Sequence, residues 1–240
     1  MDKFIASCKE LNISLTPEQI NAFQIYYDLL VEWNKKMNLT SITEFEEVCS
    51  KHFLDSLSLV RIFSQRELES GKLALIDVGT GAGFPGIPLK ICFPQLSVTL
   101  LDSLNKRLTF LNEVIHCLQL KDIVTVHGRA EDFGRDKKYR EHFDLCTSRA
   151  VANLTTLSEL CLPFIKKDGC FVSYKADKGE EELAAAGKAI GILGGKVLDT
   201  REFVLPGTDY KRFMIAIKKI KTTPMSYPRK AGLPAREPLA

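Results

Sequence analysis

The sequence predicts an α/β fold with a seven-stranded, mostly parallel sheet, an antiparallel hairpin at its C-terminal end and a helical extension at its N-terminal end. Three observations carry this prediction. From residue 73 onward, short apolar runs of strand length alternate with segments of helical spacing, which is typical of parallel strands joined by crossover helices. The last two extended runs, 196–205 and 213–220, have no helix between them and must pair as a hairpin. Residues before the first strand show helical spacing only.

Two helices are predicted in the N-terminal extension. The first covers residues 17–37, because Thr16 and Gln19 form a capping box ahead of apolar residues at helical spacing. The second covers about residues 44–63 and includes a stretch around His52 that is more polar than packing requires. That stretch is either a solvated face with a satisfied histidine or part of a functional site.

The remaining elements follow from the same apolar patterns. Seven runs are predicted to be strands: 73–78, 97–101, 123–126, 143–147, 169–174, 196–205 and 213–220. The predicted crossover helices cover 85–93, 105–118, 154–165 and 180–193. Residues beyond 220 contain four prolines and no apolar periodicity, which is typical of an extended tail. We therefore divide the chain into an N-terminal helical extension (1–66), a main domain (67–220) and a basic, proline-rich tail (221–240).

Length and composition limit the class of protein. A chain of 240 residues with 45% apolar residues can bury a substantial core in one large domain, or in one domain with a small appendage. No apolar stretch approaches the roughly 18–20 residues of a membrane span, and no secretory signal is evident. Seven cysteines without a C-x-x-C pattern indicate a reducing compartment, so we expect a cytoplasmic protein. We also expect no metal site, because ligand spacing is missing, and a monomer, because no apolar heptad is present.

Charge is unevenly distributed along the chain. The formal net charge is +3, yet residues 211–240 hold eight Lys or Arg against one acid, which is +7, so residues 1–210 carry −4. A concentrated basic end is typical of a protein that binds a polyanion. It is equally typical of a solvated segment that keeps a protein in solution, and charge alone does not choose between the two.

The strongest functional pattern lies directly after the first predicted strand. Gly79, Gly81 and Gly83 alternate there, and glycine allows both a positive φ and the close approach of a ligand to the backbone. Pro85 suits the first turn of a helix. This pattern predicts a strand, a tight turn and a helix start, with backbone N–H groups directed at a ligand.

Three interpretations of this glycine loop compete. With Asp102 at the end of the second strand, the loop matches a dinucleotide-binding fingerprint and therefore a nicotinamide-dependent oxidoreductase. The spacing from Asp77 through Gly83 instead resembles motif I of Rossmann-like S-adenosylmethionine-dependent methyltransferases. A plain strand-to-helix turn is the third interpretation. The C-terminal hairpin, and the lack of chain length for a separate substrate domain, favour the methyltransferase class.

Polar groups mark the carboxyl ends of the predicted strands, where open α/β sheets bind their ligands. These ends carry Gly79, Asp102, Ala130-Glu131 and Arg149. The Asp102 carboxylate can accept two ribose hydroxyls, and Ala130 with Glu131 can line an adenine. Phe84 can supply an apolar wall, and Arg149 lies where a substrate would approach. Each polar group also has a structural interpretation: Asp102 as a helix cap, Glu131 as a solvated loop acid, and Arg149 as a surface ion pair.

The segment after the fourth strand limits the chemistry of the acceptor. Residues 147–151 lack the Asp/Asn-Pro-Pro-aromatic motif of enzymes that methylate exocyclic amines. Neither Cys146 nor Cys161 is placed as the nucleophile of a cytosine-C5 enzyme. An acceptor that already carries a lone pair, such as guanine N7, fits this segment, because alignment with the methyl donor can supply most of the rate enhancement. No general base is therefore expected, and no catalytic residue is assigned.

Seven motifs run through the chain: Trp33-Asn34-x-x-x-Asn38-Leu39-Thr40, His52-x-x-Asp55-Ser56-Leu57, Asp77-Val78-Gly79-x-Gly81-x-Gly83-Phe84-Pro85-Gly86, Asp102-Ser103-x-x-Lys106-Arg107, Arg129-Ala130-Glu131, Ser148-Arg149-Ala150 and Tyr227-Pro228-Arg229-Lys230-x-Gly232. Together they resemble the bacterial ribosomal small-subunit methyltransferase G family, also called glucose-inhibited division protein B. The resemblance extends over about residues 17–236.

This resemblance implies a class I S-adenosylmethionine-dependent methyltransferase that methylates N7 of a guanine in the 530 loop of 16S rRNA, within a small ribosomal subunit or its precursor. The main domain is then the methyltransferase domain. The implied cofactor-binding residues are Asp77, Gly79, Gly81, Gly83, Phe84, Asp102, Ala130, Glu131 and Arg149. RNA contacts are predicted for Lys106, Arg107, Tyr227, Arg229 and Lys230, because an aromatic side chain beside cations can stack on bases and contact phosphates. A non-enzymatic RNA-binding module with a relict cofactor pocket is the remaining alternative.

Overall fold

A single seven-stranded sheet forms the centre of the structure, a computed structural model that describes residues 1–176 and 178–239. Its strands are β1 (Ala74–Val78), β2 (Ser97–Asp102), β3 (Ile123–His127), β4 (Phe143–Arg149), β5 (Ile165–Lys175), β6 (Gly195–Val204) and β7 (Lys211–Lys219). Strands β1 to β5 pair in parallel, and β7 lies antiparallel between β5 and β6. The predicted α/β class, the seven strands and the antiparallel hairpin are confirmed.

The order of the strands creates a crevice at one edge of the sheet. That order is β3-β2-β1-β4-β5-β7-β6, so the chain moves outward from β1 to β3 and then returns to β4 beside β1. Crossover helices leave in opposite directions at such a reversal and open a ligand crevice beyond the carboxyl ends of the strands. The glycine loop follows β1 at this edge, and Asp102 and Arg149 end the neighbouring strands.

Helices cover both faces of the sheet. They are α1 (Asp2–Glu10), α2 (Pro17–Asn34), α3 (Phe45–Val48), α4 (Asp55–Leu57), α5 (Gln65–Glu69), α6 (Gly86–Cys92), α7 (Asn105–Cys117), α8 (Ala130–Phe133), α9 (Leu154–Cys161), α10 (Gly179–Ile192) and α11 (Leu233–Arg236). The predicted helices are present with ends shifted by a few residues, whereas α1, α5, α8 and α11 lie outside them. Among the residues described, no helix has the length and apolar character needed to cross a membrane.

The segment predicted as one helix over residues 44–63 is helical but changes its winding. Between α3 and α4 it forms a π-helical stretch, Cys49–Leu54, and after α4 it tightens into a 3-10 turn. Within the π-helical stretch, Phe53 is buried in the core, whereas His52 faces Arg149 at the end of β4. Such local changes of winding often occur at functional sites because they redirect individual side chains.

Apolar cores form on both faces of the sheet. Alternation along β1 places Leu75 in a core shared with α6, α7 and the N-terminal helices, and Ile76 in a core shared with α9 and α10. The N-terminal helices therefore pack directly on one face of the sheet. The division of the chain at residues 66 and 220 stays a prediction.

Residues 221–239 differ from the predicted extended tail. They fold back across α8 and α9 and end in α11. The Arg135 guanidinium donates to the carbonyls of Ser226 and Pro228, and that of Arg140 donates to the carbonyls of Thr223 and Tyr227. Composition did not reveal this arrangement, because the contacts that hold the segment come from arginines elsewhere in the chain.

Candidate active site

The glycine loop after β1 has the backbone conformation that its sequence predicts. Gly79, Gly81 and Gly83 have φ values of +72°, +60° and +99°, a region that side chains disfavour. A Cβ on Gly79 would also lie 2.5 Å from Cγ2 of Val151, which follows β4. The loop therefore requires glycine at position 79 for two independent reasons, and it brings the ends of β1 and β4 into direct contact.

The prediction that the N–H groups of this loop point at a ligand is wrong for Gly79, Thr80, Gly83 and Phe84. The N–H groups of Gly79 and Thr80 both donate to the Leu101 carbonyl oxygen, and those of Gly83 and Phe84 donate to the Thr80 carbonyl oxygen. These donors are used to fold the loop back on itself and on β2. What the loop offers a ligand is the close approach of a bare backbone, not a set of free donors.

Asp77, at the end of β1, holds the glycine loop by hydrogen bonds. Its carboxylate is completely buried and accepts hydrogen bonds from the Thr80 hydroxyl at 2.6 Å and from the Gly86 N–H at 3.0 Å. Burial raises the pKa of Asp77 to about 6, although these hydrogen bonds act in the opposite direction. The side chain joins the end of β1 to the start of α6, so it supports the shape of the glycine loop.

Asp102 lies beside the glycine loop at the end of β2. One carboxylate oxygen accepts from the Gly81 N–H at 2.9 Å and from Arg107 at 3.2 Å, and the other accepts from the Leu104 N–H at 2.9 Å. The structural interpretation of Asp102 as a helix cap is wrong, because Leu104 is the N-cap residue of α7 and no side chain caps that helix. The bond to the Leu104 N–H instead shapes the turn between β2 and α7. The Asp102 carboxylate also lies next to the bare backbone of Gly81.

Phe84 packs inward against the N-terminal extension. Its ring stacks on the His52 imidazole with 4.5 Å between ring centroids, and it also contacts Tyr26 and Phe53. The Arg149 guanidinium lies 5.2 Å from the centre of the same ring. Phe84 is therefore part of an apolar cluster with side chains that precede the sheet, and its role as a wall for a ligand stays a prediction.

Arg149 is buried in an ion-pair cluster at the end of β4. Its Nη1 donates to the Asp55 carboxylate at 2.8 Å, and Arg212 donates to the other oxygen of the same carboxylate at 2.8 Å. Sequence reasoning missed both Asp55 and Arg212 as partners. The sequence signal was the polar stretch around His52, but the pairing crosses three elements that are far apart in the chain. The interpretation of Arg149 as a surface ion pair is wrong, because its side chain is only 12% exposed.

His52 is held as a neutral imidazole in this cluster. Burial and the nearby Arg149 charge lower the pKa of His52 to about 3. Its Nδ1 faces Arg149 Nη2, which can only donate, so the ring proton belongs on Nε2, where it meets the Thr40 hydroxyl at 2.8 Å. The histidine is therefore a fixed hydrogen-bonding group at the site edge.

Ala130 and Glu131 begin α8 on the opposite side of the crevice. The Glu131 side chain is buried, which excludes the interpretation as a solvated loop acid. Its carboxylate accepts the Gly232 N–H at 2.8 Å, so the tail reaches the edge of the predicted adenine site. Sequence reasoning did not anticipate this contact.

Two exposed apolar side chains complete the edge and were also missed. Leu104 is 43% exposed directly after β2, and Val151 is 42% exposed over Gly79. Exposed aliphatic side chains beside a buried carboxylate are typical of a site that holds a partly apolar ligand. Their position after strand ends was visible in the sequence, but their exposure was not. A cleft of about 640 Å³ lies elsewhere, between α1 and the β6–β7 turn, and includes none of the predicted site residues.

The predicted RNA contacts differ in accessibility. Lys106 and Lys230 are exposed, and Tyr227 is half-buried. Arg107 pairs with Asp102, and the Arg229 guanidinium pairs with the buried Glu159 carboxylate at 2.7 Å. The assignment of these five residues to RNA stays a prediction, and the structure gives two of them internal partners. The described residues hold no cluster of His, Cys, Asp and Glu that could bind a metal ion.

Comparisons with known proteins agree with this architecture. A family model described as rRNA small subunit methyltransferase G matches residues 19–209. The chain is 54% identical to the ribosomal RNA small subunit methyltransferase G of Lachnoclostridium phytofermentans, over 98% of this chain and 96% of that protein. It is 49% identical to the Bacillus subtilis protein of the same name, over 100% of this chain and 98% of that protein.

Solved structures with much lower identity share the fold. The 16S rRNA (adenine(1408)-N(1))-methyltransferase of Catenulisporales acidiphilia with cosubstrate SAM has a TM-score of 0.53 and 13% identity, over 65% of this chain and 89% of that chain. TrmN from Thermus thermophilus has a TM-score of 0.53 and 17% identity, over 72% of this chain and 53% of that chain. These likenesses concern the arrangement of the sheet and its helices.

Proposed function

The chain belongs to the rRNA small subunit methyltransferase G family, and from this premise we propose that it transfers a methyl group from S-adenosylmethionine to N7 of a guanine in the 530 loop of 16S rRNA. The family membership and the class I fold identify S-adenosylmethionine as the cofactor. When bound, it supplies an electrophilic methyl group on a sulfonium. The protein residues then have three tasks: they bind the cofactor, admit the guanine and align the two.

One observation carries the cofactor assignment. The bare backbone of Gly81 lies beside the buried Asp102 carboxylate, with the exposed side chain of Leu104 after the same strand. This combination fits an amino-acid group against the loop and a ribose on the carboxylate. Ala130 and Glu131 lie at the start of α8, where they can line an adenine.

The arrangement of His52 and Asp55 beside Arg149 supports an acceptor atom that needs no general base. The His52 imidazole is neutral, but its Nδ1 lone pair faces the Arg149 guanidinium and its Nε2–H donates a hydrogen bond to the Thr40 hydroxyl. Neither ring nitrogen is therefore free to accept a proton from a substrate. The Asp55 carboxylate lies between two guanidinium groups. Guanine N7 carries a free lone pair and needs no deprotonation, so positioning alone can account for the chemistry. Arg149 contributes by holding the His52–Phe84 stack next to the approach of the base.

Exposed cations support a polyanionic substrate. Lys106 lies in the first turn of α7, which follows Asp102. Lys230 lies in the folded tail two residues before Gly232, whose N–H donates to Glu131. Both flank the crevice and can contact phosphates of the RNA that delivers the guanine. The substrate we propose is 16S rRNA within a small ribosomal subunit or its precursor.

The direct test is transfer of tritiated methyl groups to small ribosomal subunits from bacteria that lack this activity. We expect label in 16S rRNA, and at least a tenfold lower rate for Asp102→Ala because the ribose loses its acceptor. Free 16S rRNA is tested in parallel to distinguish naked RNA from the assembled particle. RNA binding without transfer to either substrate would contradict the proposal and favour a non-enzymatic RNA-binding protein.

A further inference from the structure

The C-terminal segment is attached to the body of the protein by one nearly buried ion pair. Arg229 donates through Nε and Nη2 to both carboxylate oxygens of Glu159, at distances of 2.7 to 3.1 Å. The Arg229 backbone N–H donates to the same carboxylate at 2.7 Å. The Glu159 side chain is 1% exposed, so this carboxylate depends on Arg229 for its charge partner.

The segment on either side of Arg229 is also fixed. Before it, Arg135 and Arg140 donate to backbone carbonyls between Thr223 and Pro228. After it, the Thr156 hydroxyl on α9 donates to the Pro234 carbonyl at 3.1 Å. Between these attachments, Gly232 adopts a φ of +80° and directs its N–H at the Glu131 carboxylate. The backbone of the tail thus orients one side chain of the predicted adenine edge.

We propose that Arg229 is a positioning residue for cofactor binding, acting through Glu159 and Gly232 on Glu131. This role rests on the proposed function, because it requires Glu131 to border the cofactor. It assigns to Arg229 a task inside the protein in place of a phosphate contact. Loss of the guanidinium leaves the buried Glu159 carboxylate without its charge partner and with only the backbone N–H of residue 229 as a donor. The tail around Gly232 is then held less firmly, and so is the Glu131 carboxylate.

The neighbouring Lys230 makes the two roles separable. Lys230 is the next residue in the sequence and is exposed. The Arg229 side chain is only 20% exposed and donates to both carboxylate oxygens of Glu159. A positioning residue changes cofactor affinity and leaves the salt dependence of RNA binding unchanged. A phosphate contact changes the salt dependence and leaves cofactor affinity unchanged.

The test compares Arg229→Ala, Arg229→Lys and Lys230→Ala in the full-length chain by calorimetric titration with S-adenosylmethionine. We expect about a tenfold weaker affinity for Arg229→Ala, partial recovery for Arg229→Lys, and wild-type affinity for Lys230→Ala. Wild-type affinity in Arg229→Ala would overturn the proposal. Failure of the unmodified protein to bind would contradict the proposed function itself, so the two failures are distinguishable.

A second measurement uses the unmodified protein and therefore does not depend on whether the variants fold. Coupling between two sites is reciprocal. If attachment of the tail raises the affinity for the cofactor, bound cofactor must in turn stabilise the attachment of the tail. We expect saturating S-adenosylmethionine to slow amide hydrogen exchange across residues 226–236 severalfold. Unchanged exchange in this segment, with the cofactor demonstrably bound, would also overturn the proposal.

Discussion

At the scale of single residues, the site depends on a position where a side chain cannot be accommodated. Gly79 has a positive φ, and a Cβ at this position would clash with Val151. The energetic costs of backbone strain and of the clash are separable, because only the clash depends on the Val151 side chain. The sequence predicted the need for glycine from spacing alone. It could not identify Val151, because Gly79 and Val151 follow different strands and are 72 residues apart in the chain.

We predict that Gly79→Ala lowers the free energy of unfolding by more than the backbone strain alone, which is about 1–2 kcal/mol for a left-handed residue. In a Val151→Ala background the contact with Cγ2 is removed, so the same substitution should cost only the strain. Urea unfolding of the four proteins in this cycle measures the difference. An identical cost in both backgrounds would show that Val151 does not limit position 79.

His52 predicts a specific loss of stability in acid. Its pKa is about 3 in the folded protein and 6.5 in an unfolded chain, so below pH 6.5 only the unfolded state takes up the proton. Stability should therefore fall as the pH falls from 6.5 toward 3, by about 2 kcal/mol between pH 7 and pH 5. His52→Gln should remove this part of the pH dependence in thermal or urea unfolding.

The matched control is His116→Gln, which changes an exposed histidine on α7. If His52→Gln and His116→Gln alter the pH dependence equally, the neutral buried state of His52 is incorrect.

At the scale of elements, the N-terminal extension is joined to the sheet through Asp55. This carboxylate at the start of α4 pairs with Arg149 of β4 and Arg212 of β7, and all three side chains are largely buried. The helical pattern predicted a helix here, but not the π-helical turn that aims the polar side chains. Hydrophobic spacing reports which residues are buried and carries no information about which buried charges meet.

We predict that Asp55→Ala lowers the free energy of unfolding by about 3 kcal/mol or more, because it leaves two guanidinium groups without their partner. Glu32→Ala removes an exposed ion pair with Lys36 and should leave stability nearly unchanged. Urea unfolding compares the two variants. Equal, small effects would mean that the Asp55 cluster does not hold the extension on the sheet.

At the scale of the whole molecule, the basic C-terminal end is only partly available to a polyanion. Lys219 is buried and bonded to Leu162 and Thr223, and Arg229 is bound by Glu159. Burial lowers the pKa of Lys219 to about 8. The strand alternation and the glycine loop were predictable because they depend on local patterns. The folded tail was not predictable, because it is held by residues of α8, of the loop after α8 and of α9.

We predict that Lys106→Ala combined with Lys230→Ala lowers the salt dependence of RNA binding by about two units of slope, because two phosphate contacts are lost. Lys121→Ala combined with Lys188→Ala removes two exposed cations away from the crevice and is the control. Filter-binding titrations over a range of salt concentrations measure both slopes. Equal slopes for the two double variants would place the RNA elsewhere on the protein.

The central claim concerns the modified atom, and one measurement reaches it directly. Small subunits from bacteria that lack the activity are incubated with the protein and S-adenosylmethionine, and their 16S rRNA is treated with borohydride and aniline, which cleave the chain at 7-methylguanosine. We expect a new cleavage at one guanine of the 530 loop, present only when protein and cofactor are both added. Methyl incorporation without that cleavage, or cleavage in another region of the rRNA, would contradict this claim.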